Sequence, residues 1–71
     1  MNVMDLERIE HDEAVKVCEG TSYNALDLMD FQSVRDLKKQ LLKSDEETAR
    51  KAFKEYFTNL IIGLDDIKAE D

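Results

Sequence analysis

Between Ser44 and Leu64 the apolar positions Ala49, Ala52, Phe53, Tyr56, Phe57, Leu60, Ile61 and Leu64 recur at spacings of three and four. At about 100° per residue they occupy one half of a helical surface. Ser44, with Glu47 three residues on, reads as a capping box that opens this segment. Gly63 marks either its end or a weak point near the end. The pattern predicts a long amphipathic helix over about 45–63. Its face is broader than the roughly 100° stripe of a helix resting on one neighbour, so this helix is expected to be the core and to touch at least two others.

Upstream the pattern is weaker. Val3, Leu6, Ile9, Ala14, Val17 and Cys18 share a side of a helix expected over 3–19, with Asn2 as its cap and Asp5 in its first turn. Glu7, Glu10 and Glu13 project into the same arc. Either this helix is only partly buried, or it breaks near His11-Asp12 and restarts with Asp12 as a cap. Gly20 is the expected stop. A strand at AVKVC has no second strand pattern to pair with.

A short helix is expected over 22–30, capped by Thr21 or Ser22 and carrying Ala25, Leu26, Leu28 and Met29, with Phe31 out of phase. Ser33 followed by Asp36 resembles a capping box opening a helix over 33–43, whose stripe is Val34, Leu37 and Leu41. There is no proline and there are two glycines, which suits helices joined by tight turns. The fold class expected is all-α: one domain over 1–71, a small bundle of three to four helices, its end either a frayed tail over about 66–71 or one more turn that folds Leu64 and Ile67 back on the body.

Composition narrows the ways such a chain holds together. Apolar residues are 42% of 71, enough for a folded core, but a chain this short is near the lower size limit for a self-sufficient one. Cys18 is the one cysteine and His11 the one histidine, so an internal disulfide and a four-ligand zinc site are both out of reach. Association with a protein partner or with itself is the supplement left. No apolar run approaches the roughly 18 residues of a membrane span, and MNVMDLERIE lacks the basic and apolar regions of a signal peptide. No membrane partner and a cytoplasmic location are therefore expected.

Charge changes the picture further. The net is −7, which argues against general affinity for nucleic-acid backbones. Residues 1–30 carry eight acids and two bases, residues 31–60 seven bases and five acids, and residues 61–71 four acids and one base. The acidic first third and the basic middle, with Arg35, Lys38, Lys39, Lys43, Arg50, Lys51 and Lys54, complement each other either within one chain or between chains. Alternatively the acidic third, with Glu7, Glu10 and Glu13, faces outward onto a basic partner, placing carboxylates where phosphates would lie.

Catalytic chemistry finds no foothold. Cys18 and His11 have no orienting group or oxyanion site beside them. The pair Glu46-Glu47 is explained by its place at a helix start, and Asp65-Asp66 lacks the spaced oxygens and glycine of a calcium loop. No enzyme activity, cofactor or metal is expected. A helix-turn-helix DNA reader would need a three- to four-residue turn and a second helix free to read bases, whereas only Ser44 separates the two basic segments. The expected function is a small acidic, non-enzymatic protein-interaction module, a regulator or inhibitor. The rivals are a homo-oligomeric assembly factor and a nucleic-acid binder using the basic middle. The arc around Tyr56, Phe57, Ile61 and Leu64 looks under-covered by the narrow faces upstream, and a two-fold homodimer is expected to bury it.

Overall fold

The computed structural model describes residues 1–69, so residues 70 and 71 of the expected frayed tail lie outside the described residues. The chain forms four helices: α1 (Val3–Cys18), α2 (Ala25–Met29), α3 (Gln32–Leu41) and α4 (Glu46–Ala69). There is no strand among the described residues. The fold is an all-α bundle in which the long last helix packs against the others.

Each helix start follows from local chemistry, and three of the four differ from expectation. Asn2 caps α1 as expected, its Oδ1 accepting from the Asp5 N–H at 2.8 Å. α2 is capped by Asn24, which accepts from the Leu26 N–H at 2.9 Å, and not by Thr21 or Ser22. The Thr21 hydroxyl is occupied elsewhere: it donates to the Cys18 carbonyl at 2.7 Å, closing the end of α1. Gly20, with φ +77°, makes that turn in the left-handed region where side chains are strained.

α3 begins after Phe31 with no side-chain cap. Ser33 lies inside the first turn and its hydroxyl bonds the Tyr56 hydroxyl, so the Ser33–Asp36 box is not formed; Asp36 accepts from Gln32 at 3.2 Å instead. The box at Ser44 is likewise displaced by one residue. The Ser44 N–H is held by the Leu41 carbonyl at 2.9 Å, in the turn that ends α3. Asp45 therefore becomes the cap, accepting from the Thr48 N–H at 2.8 Å. Hydrogen bonding by the Thr48 side chain, and then by its N–H, holds the Asp45 carboxyl below its ordinary value of 3.8.

α1 runs unbroken past His11-Asp12, and α4 runs past Gly63 to Ala69, beyond the expected end. Asp65, on the added stretch, accepts from the Tyr23 hydroxyl at 2.7 Å and ties it to the α1–α2 connection. α4 makes its most extensive backbone contact with α1, which also packs on α2, and α2 leads into α3. The core consists of Leu6, Ile9 and Ala14 from α1, Leu28 from α2, Val34 and Leu41 from α3, and Ala49, Phe53, Phe57 and Ile61 from α4. Phe53 stacks on Phe57 with ring centroids 5.9 Å apart.

A 24-residue helix is about 36 Å long, which accounts for the 41 × 21 × 17 Å shape. The radius of gyration, 12.3 Å, exceeds the about 11 Å of a rounder domain of this length.

Candidate interaction surface

The face of α4 expected to need a second copy is covered by its own chain. Phe57 is fully buried and Ile61 is 8% exposed, while Tyr56 and Leu64 are half-buried. Tyr56 sets its ring edge-on to Phe57, centroids 5.9 Å apart at 78°, and its hydroxyl reaches Ser33 on α3. The lids that looked poor from sequence are adequate because the glutamates among their apolar residues are not left bare.

Glu10 is 1% exposed and Glu13 4%, so of the three carboxylates expected to face a partner only Glu7 is exposed. Lys38 of α3 reaches the Glu10 Oε1 at 3.4 Å. Arg50 of α4 and Lys16 of α1 reach the Glu13 Oε2 at 3.8 and 3.2 Å. Arg8 spans to Glu46 at 3.3 Å. The complementarity between the acidic third and the basic middle is thus used inside the chain. Burial pushes the Glu10 carboxyl above the ordinary value of 4.5 in spite of Lys38. Its Oε2 has no hydrogen-bond partner among the described residues.

These pairings divide the basic segment. Lys38 and Arg50 turn inward, and Lys51 pairs with Glu47 at 3.5 Å along α4. Arg35, Lys39, Lys43 and Lys54 make no ion pair among the described residues. The first three recur every fourth residue, which puts them in one row on α3 and the turn that follows it.

That row borders a groove. α1 and α3 approach each other at few backbone positions, and between them lies an open cavity of about 280 Å³. Its apolar lining is Val3, Leu6 and Leu42; its polar rim is Arg35, Lys38 and Lys39 on one side and Glu7 on the other. The terminal ammonium of Met1 bonds the Leu42 carbonyl at 3.4 Å and so holds the start of α1 beside the end of α3. A second cavity of about 290 Å³ continues the groove past Glu7, Glu10, Arg35 and Lys38 towards Leu26, Met29 and Asp30. On the other side of α1 a cavity of about 400 Å³ faces α4, lined by Val17, Ile61 and Ile62 with Lys16 and Lys54; there Lys16 is already paired with Glu13.

The α1/α3 groove was missed from sequence because Val3, Leu6 and Leu42 belong to no common periodic face. The row of Arg35, Lys39 and Lys43 was the legible part of it. Cys18 is half-buried, and desolvation pushes its thiol upward, opposite to the shift that activates a thiolate. No cluster of three or more His, Cys, Asp or Glu side chains suited to a metal ion occurs among the described residues, and no helix among them is long and apolar enough to cross a membrane. Comparison with protein-family models, with curated proteins and with solved structures gave no match.

Proposed function

We propose that this chain is a small non-enzymatic protein-interaction module that docks a partner protein in the α1/α3 groove. The observation that carries this reading is the contrast between a closed core and an open groove. Phe53 and Phe57 are completely covered by the chain itself, while Val3, 55% exposed, and the cations Arg35 and Lys39 stand uncommitted around one cavity. An apolar floor with a polar rim is the usual anatomy of a protein docking site. The acidic third contributes indirectly, by holding α1 against α3 and α4.

A foreign partner is favoured over a second copy because Phe57 and Ile61, at the centre of the α4 face that called for a dimer, are already buried. Nucleic acid is disfavoured because the basic segment is divided by its internal ion pairs and the net charge is −7.

The test is affinity capture with the parent protein, a Val3→Glu variant that charges the groove floor, and an Ile67→Glu variant at the far end of α4. A protein retained by the parent and by Ile67→Glu but lost by Val3→Glu, and then shown to bind in purified form, is the expected result. Equal capture by all three variants overturns the assignment of the groove. Light scattering over a concentration series tests the homo-oligomer, and a low-salt gel shift tests nucleic acid.

A further inference from the structure

Taking the groove as the docking site, we infer that its occupant is an acidic amphipathic segment of the partner, seating apolar side chains on Val3 and Leu42 and carboxylates on Arg35 and Lys39. In a chain with 17 acids to 10 bases, carboxylates are in surplus, yet three cations in one row make no ion pair among the described residues. Five other bases, Arg8, Lys16, Lys38, Arg50 and Lys51, are all paired. Of the four bases with no ion pair among the described residues, Arg35 and Lys39 line this groove and Lys43 follows in their row, while Lys54 lies apart on α4.

The walls decide the sign of the occupant. Lys38 is neutralised by Glu10 beneath it, so the charges left to a ligand at the Val3 end are Arg35 and Lys39, with Lys43 one step further along the row, against Glu7 alone. A cationic segment would meet two to three like charges there, and an acidic one would meet opposite charges at a spacing of four residues. An acidic helix lying along α3 presents carboxylates at that same spacing. The apolar floor decides the class of occupant. A nucleic-acid backbone has nothing to place on Val3 and Leu42, whereas a leucine or phenylalanine side chain does. The continuation of the groove to Leu26, 62% exposed, and Met29 gives a second apolar contact for a segment longer than one turn; because Asp30 and Glu10 also line that end, the carboxylates of the segment belong at the Arg35–Lys39 end.

The inference is tested on the intact chain by following its amide resonances while titrating three probes. The first is a helix-forming peptide of about four turns with leucines on one stripe and glutamates beside them; the second is the same peptide with lysines in place of the glutamates. The third is a short duplex DNA. The acidic peptide is expected to shift the amides of Val3, Leu6, Arg35, Lys39 and Leu42, and to bind less tightly as salt is raised. The Arg35→Glu, Lys39→Glu double variant, with unchanged circular dichroism, is expected to lose on the order of tenfold in affinity for the acidic peptide and to gain affinity for the basic one.

Absence of binding, shifts centred away from the groove, equal binding of both peptides, or tighter binding of the DNA overturns the inference. The wider reading fails separately. If capture finds a partner lost by Val3→Glu whose bound segment is basic or uncharged, the groove is a docking site for a different chemistry. If no partner depends on the groove, the functional reading itself falls.

Discussion

Glu10 shows how much depends on one buried side chain. A carboxylate removed from water is costly even with a counter-ion, and Lys38 contacts only Oε1 while Oε2 has no partner among the described residues. Its folded pKa is raised above 4.5, so the folded state binds the proton more tightly than the unfolded chain does. Stability linked to this group therefore increases as the pH falls through the raised value and levels off below about 4.5, where both states are protonated. The urea midpoint of the parent, measured relative to that of Glu10→Gln, is expected to rise on acidification across this window; a relative midpoint that falls would refute it. Asp45 works in the opposite sense: its lowered pKa contributes stability above the ordinary 3.8 that is lost as the pH drops through the folded value. Asp45→Ala is accordingly expected to lower the melting temperature, and Ser44→Ala to leave it nearly unchanged, because only Asp45 accepts the Thr48 N–H. A large loss in Ser44→Ala with none in Asp45→Ala would restore the box at Ser44.

At the scale of the element, the two glycines separate turn from helix. Gly63 lies within α4, and a Cβ added there meets nothing within 4 Å. Gly63→Ala should therefore stabilise the protein by about 0.4–1 kcal/mol through the lower entropy of the unfolded chain. Gly20 also has open space around it, but its φ of +77° places an alanine in the left-handed region, at a cost of roughly 1–2 kcal/mol. Thermal melts of the two variants should move in opposite directions, and a destabilised Gly63→Ala would mean that α4 does not continue past residue 63 in solution.

For the whole molecule, stability is concentrated where α4 meets the other helices. Phe57 is 0% exposed, and Phe57→Ala removes a ring that stacks on Phe53 and meets the edge of Tyr56. The expected loss is about 3–5 kcal/mol, comparable with the whole stability of a small domain, so the variant should be largely unfolded by circular dichroism. Since that ring is covered by its own chain, the parent should melt at a temperature independent of protein concentration. A melting temperature that climbs with concentration would show that association is linked to folding and would return the homodimer to first place.

The helices and the primacy of the last one could be read from the chain alone, because amphipathic periodicity is a local property: Phe53, Phe57 and Ile61 share a face in any helix that contains them. Cap positions were legible only to within one to three residues: Ser44 and Asp45 compete for the same turn and the end of the preceding helix decides between them, while Thr21 and Ser33 are drawn to Cys18 and Tyr56. Which side of Glu10 and Glu13 counts as inside was decided by the tertiary structure. Their cations, Lys38 and Arg50, lie on other helices, and a buried carboxylate is tolerable only when such a partner is brought to it. The groove has the same origin. Val3 and Leu42 are adjacent because tertiary contacts, among them the Lys38–Glu10 pair and the Met1–Leu42 bond, bring α1 beside α3, so no pattern along the chain could announce the cavity between them.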